Sequence, residues 1–170
     1  TAIRSQTYRH LQIIVVDGAS TDRTAEIVKR QMVEDPRVEL VTNPRANIPS
    51  SLNLALAAAR GTWLVRVDAH STVSSTYVAQ LVEHLHEGYW GGVGGRKDGV
   101  GITPAGRAIA AVMSSRFGVG NSKYHYATQF EEVDHLPFGA YPVDLIRALG
   151  GWDEALVANE DFEFDYRVLR

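Results

Sequence analysis

The sequence contains no cysteine, and this excludes a disulfide framework, a zinc–thiolate site and a thiol nucleophile. It also has no apolar run near the roughly 18 residues that a membrane-spanning helix needs. Its clean apolar runs, such as Ile13 to Val16, have only the length of strands. An excess of one charge is missing too, because the net charge is only -3. The chain therefore lacks the basic footprint of a nucleic-acid-binding domain, and we expect no nucleic-acid partner.

Three common nucleotide-binding or catalytic motifs are missing as well. A dinucleotide-binding Rossmann unit places G-x-G-x-x-G between a strand and a helix. Here Asp17 to Asp22 occupies that slot, and it lacks the second and third glycines. Neither a P-loop nor the Gly-x-Ser-x-Gly elbow of α/β-hydrolases occurs in the chain. These absences argue against a dinucleotide-dependent enzyme, a P-loop enzyme and an α/β-hydrolase.

The elements that are present alternate between strand and helix, which is typical of a mostly parallel sheet flanked by helices. The chain of 170 residues shows no internal repeat and no low-complexity linker, so we predict a single α/β domain. In its first half the predicted strands are Gln12–Val16, Val38–Val41 and Trp63–Val67, and the predicted helices begin after Ser20–Asp22, near Pro49 and near Val78.

The second half is rich in glycine between Tyr89 and Asn121, and we expect an irregular, mobile and functional segment there. Both ends look cut, because the chain opens with what resembles the tail of a helix (Ala2 to Tyr8) and stops at Arg170 inside a helical pattern. We therefore expect a fragment of a longer protein. The remaining predicted elements are a helix at Ala105–Met113, a strand at Val133–Phe138, and helices at Val143–Leu149 and Glu160–Leu169.

Two carboxylates stand at the carboxyl ends of predicted strands. Asp17 follows the first strand and Asp68 follows the third. We predict that these are neighbouring parallel strands, so that the two carboxylates converge on one crevice at the edge where ligands of open α/β sheets lie. His70 comes two residues after Asp68, so the two side chains point the same way and can bind one divalent cation that holds a diphosphate. The alternatives are that Asp68 caps the next helix, that His70 is a surface loop residue, and that Asp17 forms a turn with Gly18.

A second acidic group begins the last predicted helix. Glu160 and Asp161 lie in its first turn, where the helix dipole and free N–H groups stabilise negative charge. Glu163 and Asp165 follow within one turn. This cluster is either an electrostatic helix cap or the place of a general base in a polar cleft.

The order and spacing of several short motifs resemble the catalytic domain of inverting family 2 glycosyltransferases, in particular the bacterial succinoglycan-type exopolysaccharide enzymes. The resemblance covers nearly the whole chain and implies the GT-A fold. No single motif is specific, but their succession is. The motifs are Ile14–Asp22, Asn43–Asn53, Ala59–Gly61, Val67–His70, Ser115–Gly120, Pro137–Tyr141, Gly150–Glu154, Asn159–Asp161 and Tyr166–Arg167.

On the donor side, the resemblance implies that Asp17, Asn47, Asn53 and Asp68 bind the nucleotide. Asp17 matches the aspartate that contacts the base. Asp68 matches the first aspartate of the family's Asp-x-Asp metal motif, and His70 stands where the second would be. The implied cofactor is a divalent cation, Mn or Mg, held by Asp68 and His70, and the softer imidazole ligand favours Mn.

On the acceptor side, the resemblance implies that Asp161 is the catalytic base and that Glu160 precedes it in the family's Glu-Asp pair. The implied reaction is a metal-dependent, inverting transfer of a sugar from a nucleotide-diphosphate donor to a hydroxyl of a glycan or lipid-linked acceptor. Residues of about 1–88 would form the nucleotide-binding half and residues of about 89–170 the acceptor-binding half. The biological setting would be exopolysaccharide or cell-surface glycan synthesis.

The implied location is cytoplasmic, and the resemblance allows for association with the inner face of the cell membrane through segments absent from this chain. Two other functions stay open. A sugar-phosphate nucleotidyltransferase would need a glycine-rich N-terminal signature with Arg and Lys on the triphosphate, and none is visible. A non-catalytic nucleotide-binding module gains weight because the family's Pro-x-Tyr-Asn-Glu-like strand, which should precede Ala2, is missing.

Overall fold

The computed structural model describes residues 2–170, so that Thr1, the first residue of the predicted domain, lies outside the described residues. Within this range no helix is both long and apolar enough to cross a membrane. The elements in chain order are β1 (Ile13–Asp17), α1 (Thr24–Glu34), β2 (Val38–Thr42), α2 (Ile48–Ala58), β3 (Trp63–Val65), α3 (Tyr77–Leu85), α4 (Pro104–Met113), α5 (Arg116–Val119), a 3-10 turn (Lys123–His125), β4 (Ala140–Pro142), α6 (Val143–Ala148) and α7 (Glu160–Val168).

The first half contains the predicted strand–helix–strand unit. β1 and β2 run parallel, with Ile13 opposite Val38 and Asp17 opposite Thr42, and α1 connects them. Asp35 adopts an extended conformation directly after α1, because the residue before a proline avoids the α region. The parallel pairing is confirmed, and it places Asp17 at the carboxyl end of β1.

β3 belongs to a second pair of strands. It runs antiparallel to β4, with Trp63 opposite Pro142 and Val65 opposite Ala140. Within residues 2–170, hydrogen-bonded ladders join β1 to β2 and β3 to β4 but not β1 to β3. The strands that lead to Asp17 and Asp68 are therefore not paired neighbours, contrary to the prediction from the sequence.

A side chain connects β1 and β3 where the backbone ladder does not. Gln12, directly before β1, donates from Nε2 to the carbonyl of Ala58 at 3.0 Å. Its Oε1 accepts from the backbone N–H of Arg60 at 2.9 Å. These two bonds tie the start of β1 to the connection between α2 and β3, and they satisfy two polar backbone groups there.

The predicted strand at Val133–Phe138 is wrong. This segment is irregular in the structure, and the strand of this region is β4, a few residues later. The N–H of Leu136 does not enter a ladder, because it donates to the Asp165 carboxylate at 2.8 Å. A side chain on α7 thus takes the backbone donor that a strand would need.

The predicted helix tail at Ala2 to Tyr8 is also wrong. The segment contains a turn, and Gln6 within it is completely buried. The Gln6 side chain donates to the carbonyl of Ser74 at 2.7 Å and accepts from the N–H of Val78 at 2.9 Å. Long-range bonds to the start of α3 therefore hold this segment, together with a local turn bond from the N–H of Gln6 to the carbonyl of Ile3.

The core is organised around β4. Ala140 belongs to one apolar cluster, with Leu81, Leu85 and Val93. Tyr141, the next residue, belongs to the other. Successive strand residues point to opposite faces, so the three-residue β4 contributes to both clusters. The second cluster consists of Leu56, Tyr141, Val143, Ile146, Trp152 and Phe164.

Close packing against the ring of Tyr141 requires two glycines, Gly92 and Gly139. A Cβ at Gly92 would lie 2.5 Å from the ring of Tyr141, and a Cβ at Gly139 would lie 2.4 Å from the same ring. Both distances are far below van der Waals contact. At Gly92, therefore, the glycine-rich segment that we expected to be mobile serves close packing against the core.

Candidate active site

The candidate donor site begins at Asp17, the last residue of β1. Its side chain is buried, and Oδ2 accepts from the N–H of Ser20 at 3.2 Å. Its other oxygen, Oδ1, is buried without a hydrogen-bond partner among the residues that the structure describes. A buried acceptor without a donor costs free energy, so the oxygen is suited to a donor group on a ligand.

Asn47 and Asn53, two of the predicted nucleotide ligands, lie at the start of α2 and within it, and both side chains have structural partners. Asn47 is the N-cap, and its Oδ1 accepts from the N–H of Ser50 at 3.0 Å. The Asn53 amide bonds both backbone groups of Trp152, with Nδ2 donating to O at 2.8 Å and Oδ1 accepting from N at 2.9 Å. A Cβ at Gly151 would lie 2.4 Å from Asn53 Oδ1, so this approach requires glycine.

We expect Asn53→Ala to destabilise the fold by about 2 kcal/mol, because it leaves the N–H and carbonyl of buried Trp152 without partners. Urea unfolding monitored by tryptophan fluorescence measures the loss. Asn121→Ala, at an exposed asparagine, is the control and should change the free energy of unfolding very little. An unchanged stability in Asn53→Ala would contradict the structural role and leave nucleotide binding as its remaining role.

Arg66 connects the end of β3 to the start of α7. Its backbone N–H donates to Gly139 O at 3.0 Å and so extends the pairing with β4. Its guanidinium donates from Nε to Asp68 Oδ1 at 3.2 Å and from Nη1 to Glu160 Oε1 at 3.3 Å. Only 13% of the side chain is exposed, so these charge-assisted bonds are largely shielded from water. Arg66 thereby brings the predicted metal ligand and the predicted Glu-Asp pair to one place.

Asp68 and His70 are the predicted metal ligands. The Asp68 side chain is partly exposed, and His70 is exposed. Across residues 2–170 no group of three or more carboxylate or imidazole side chains is arranged to hold a metal ion. Mg²⁺ and similar hard cations are commonly bound by one or two carboxylates and completed by substrate phosphates and water. One carboxylate and one imidazole at an accessible position fit a site of that kind.

Glu160 and Asp161 begin α7. The preceding residue, Asn159, has φ of 61°, in the left-handed region that asparagine tolerates better than most residues. Glu160 is buried against Arg66, whereas the Asp161 side chain remains 28% exposed. Asp161 Oδ1 accepts from the N–H of Phe162 at 2.9 Å. Of the two carboxylates, Asp161 is the one that a substrate can reach.

Asp165, one turn after Asp161, lies at the centre of a buried polar network. Its Oδ2 is 2.7 Å from His135 Nδ1 and also accepts from the N–H of Leu136. Its Oδ1 accepts from the Tyr141 hydroxyl at 2.5 Å. Burial, followed by the negative charge of Asp165, raises the pKa of Tyr141 far above its usual value, so Tyr141 stays a hydroxyl donor.

His135 is the functional candidate that the sequence did not reveal. The residue is only 3% exposed, and its Nε2 lies 3.7 Å from Asp161 Oδ2. Its ring stacks on Phe162 with centroids 3.8 Å apart. His135 stands in an irregular segment without periodicity, and no motif distinguished it. Arg66 could have been found from the sequence, because a charged residue inside an otherwise apolar run predicts an oppositely charged partner.

The structure thus groups the predicted site residues into two sets. Arg66 joins Asp68 to Glu160, and His135 lies between Asp161 and Asp165. Asp17 lies at the end of a different strand pair. The roles of the predicted nucleotide, metal and catalytic residues remain predictions.

Comparison with known sequences identifies relatives. A family model described as "Glycosyl transferase family 2" matches residues 1–147. The succinoglycan biosynthesis protein ExoA of Rhizobium meliloti (strain 1021) is 33% identical over 166 residues, which cover 96% of this chain and 50% of that protein. An uncharacterized glycosyltransferase of Haemophilus influenzae is 25% identical over 125 residues, which cover 73% of this chain and 35% of that protein. The chain therefore spans half or less of the length of these curated relatives.

Comparison with solved structures gives the same architecture. Staphylococcus aureus TarS 1-349 in complex with UDP matches with a TM-score of 0.70 and 18% identity, covering 98% of this chain and 48% of that one. The mannosyltransferase PcManGT from Pyrobaculum calidifontis, in complex with GDP-Man and Mn2+, matches with a TM-score of 0.71 and 22% identity, covering 98% and 46%. At these identities the likeness establishes the fold, and the predicted GT-A architecture is confirmed.

Proposed function

Because the chain belongs to glycosyl transferase family 2, we propose that it transfers a sugar from a nucleotide-diphosphate donor to an acceptor hydroxyl, with inversion and with a divalent cation. The observation that carries this proposal most directly is the Arg66 bridge. It joins Asp68, the proposed metal ligand, to Glu160, the neighbour of the proposed base. The proposed donor-side and acceptor-side carboxylates thus share one guanidinium, and this proximity supports a transfer between two bound substrates.

Asp17 is the proposed contact to the nucleoside. Its unpaired Oδ1 is buried at the end of β1, and a base N–H or ribose O–H would supply the missing donor. TarS was solved with UDP and PcManGT with GDP-Man, so proteins of this fold bind uracil nucleotides and guanine nucleotides. The binding of a nucleoside diphosphate would thus satisfy an oxygen that the protein leaves without a partner.

We expect Asp17→Ala to weaken binding of UDP or GDP by roughly tenfold or more, because one hydrogen bond to a charged acceptor is worth about 1.5–3 kcal/mol. Titration calorimetry in the presence of Mn²⁺ measures the affinity. The free energy of unfolding should change little, because losing the bond from the Ser20 N–H to Oδ2 opposes the gain from removing a buried, unpaired Oδ1. Asp144→Ala, at a carboxylate whose side chain is 98% exposed, is the control. Wild-type affinity in Asp17→Ala would remove Asp17 from the site.

Asp68 and His70 are the proposed metal ligands, and the cation would neutralise the leaving diphosphate. The protein itself contributes the charged side chains around the proposed cation site. Arg66 lies against both Asp68 and Glu160, so it offsets the repulsion between these carboxylates and an incoming diphosphate. Holding Arg66 largely buried also keeps its field strong, because solvent screens it less.

Asp161 is the proposed base on the acceptor side. The acceptor oxygen forms a bond to the anomeric carbon while the bond from that carbon to the phosphate oxygen breaks. The diphosphate leaves with the electron pair, and the acceptor proton moves to Asp161. A single displacement inverts the anomeric centre, as it does when water is the acceptor in inverting glycosidases.

The relative ExoA supports an acceptor from glycan synthesis, since its name places it in succinoglycan biosynthesis. We therefore propose a glycan or lipid-linked acceptor for this chain. The segment of about 1–88 would bind the nucleotide and that of about 89–170 the acceptor. A cytoplasmic location and contact with the inner face of the membrane remain predictions from the resemblance.

The direct test is a donor assay. The purified protein is incubated with Mn²⁺ and UDP-glucose, UDP-N-acetylglucosamine or GDP-mannose, and release of UDP or GDP is measured with and without a membrane lipid extract as acceptor source. We expect the protein to turn over one of these donors and to attach the sugar of that donor to the acceptor. A protein that binds a nucleoside diphosphate and turns over none of these donors would support the binding-module alternative.

A further inference from the structure

His135 occupies a position between two carboxylates of α7. Its Nδ1 lies 2.7 Å from Asp165 Oδ2, and its Nε2 lies 3.7 Å from Asp161 Oδ2. The ring cannot turn freely, because it stacks on Phe162 with an angle of 14° between the planes. The edge of Tyr124 closes another side at 5.3 Å between centroids. The two nitrogens therefore have fixed and different partners.

Asp165 determines the state of Nδ1. The Asp165 carboxylate also accepts from the N–H of Leu136 and from the hydroxyl of Tyr141. A group surrounded by donors is suited to the ionised form, which only accepts. The short contact to His135 is then an Nδ1–H donating to Asp165, and the orientation of the ring leaves Nε2 facing Asp161.

The contacts of the four carboxylates indicate the role of Nε2. Arg66 is the guanidinium that pairs with two of them, Asp68 and Glu160. His135 is the side chain that lies against the other two, Asp161 and Asp165. An N–H at Nε2 would donate toward Asp161, whereas a bare Nε2 would turn its lone pair toward a carboxylate oxygen, where no hydrogen bond can form.

We propose that His135, oriented by Asp165, is a positioning residue for the catalytic carboxylate Asp161. The Nε2–H of His135 directs Oδ2, while the N–H of Phe162 holds Oδ1. The carboxylate is thereby kept in one orientation for the acceptor hydroxyl. The distance of 3.7 Å is longer than a hydrogen bond, and we expect it to shorten in the complex with substrates. This inference rests on the proposed function in one respect, the assignment of Asp161 as the base.

Two amide substitutions separate positioning from a purely structural role. In His135→Gln the side-chain amide nitrogen stands near the place of Nε2 and can still donate to Asp161. In His135→Asn it stands near the place of Nδ1 and can still donate to Asp165. If His135 positions the base, turnover should fall roughly tenfold to a hundredfold in His135→Asn, because a misplaced catalytic group costs up to about a hundredfold. His135→Gln should retain more of it.

The KM for the donor should change little in both variants, because His135 contacts neither Asp17 nor Asp68. The matched control is His125→Gln, at another buried histidine, whose ring is tilted by 39° against that of Tyr124 and which is not paired with a carboxylate of α7. Its turnover should equal that of the wild type. Turnover in His135→Asn that equals or exceeds that in His135→Gln would show that the bond to Asp165 alone matters, and this would overturn the proposal.

NMR tests the same inference without turnover. We expect Nε2 of His135 to carry the hydrogen that it donates toward Asp161, and the signal of the Asp161 carboxyl carbon to shift in His135→Asn but not in His125→Gln. An Nε2 without a hydrogen, or an unmoved Asp161 signal, would overturn the proposal even if a variant folds poorly. If the wild type releases no nucleoside diphosphate from any donor while the Asp161 signal responds to His135→Asn, the proposed function fails and the contact between His135 and Asp161 stands.

Discussion

Asp161→Asn is expected to lower turnover by about a hundredfold or more, the usual worth of a positioned acid or base. The substitution keeps the size of the side chain and the acceptor oxygen for the N–H of Phe162. It removes the basic oxygen that would take the acceptor proton. A carboxylate is a weak base toward a sugar hydroxyl, but the hydroxyl becomes acidic as its oxygen bonds to the anomeric carbon. Proton transfer concerted with departure of the diphosphate therefore makes the step possible.

Steady-state release of UDP or GDP measures this loss, and calorimetry should show donor affinity close to that of the wild type. Glu160→Gln is the matched comparison, since Glu160 is adjacent but buried against Arg66. It should reduce turnover less, because its position supports Arg66 and the start of α7 and is closed to an acceptor. Near-normal turnover in Asp161→Asn together with an inactive Glu160→Gln would reverse the assignment within the pair.

Removal of the divalent cation should have a comparably large effect. Exhaustive chelation is expected to abolish transfer, because a metal ion contributes several kcal/mol of charge stabilisation to a transition state, on the order of a hundredfold to a thousandfold in rate. Mn²⁺ should restore the activity at least as well as Mg²⁺, since the imidazole of His70 is a softer ligand than a carboxylate. The assay is donor turnover after dialysis against chelator and re-addition of each ion.

Two variants test whether the metal dependence of turnover comes from the predicted ligands, Asp68 and His70. Asp68→Ala should lose metal-dependent turnover, and His70→Asp should shift the preference toward Mg²⁺ because it restores an oxygen ligand. Asp144→Ala, at an exposed carboxylate on α6, should respond to chelation as the wild type does. Activity that survives thorough chelation would disprove the metal role, and Asp68 would then be only the partner of Arg66.

Local signals in the sequence were sufficient for the first half of the fold. β1 and β2 each lie within one residue of the predicted strands, and α1 and α2 follow the predicted turns. These elements depend on short-range features. Asp35, which precedes a proline, ends α1, and Pro49 stands in the first turn of α2. Such features act over a few residues. The same holds for α7, whose acidic first turn was visible in the sequence.

The strand β4 shows where local signals fail. Ala140–Pro142 is too short for an alternating pattern, and it is a strand because β3 and Val93 supply its partners. The predicted strand just before it, Val133–Phe138, has the more suitable composition, but Asp165 takes the N–H of Leu136. Pairing and side-chain capture are long-range effects, so composition could not decide between the two segments.

The sequence by itself determined which types of side chain stand at the candidate site and in which order along the chain, because local sequence patterns mark the ends of strands and the starts of helices. Asp17, Asp68, Asp161 and the family resemblance all come from that level. Only the tertiary structure decided which groups meet. It paired Arg66 with Asp68 and Glu160, and it placed His135 between Asp161 and Asp165. The physical reason is that buried charges must find partners, and such partners can lie far away along the chain, 94 residues for Arg66 and Glu160 and 30 for His135 and Asp165.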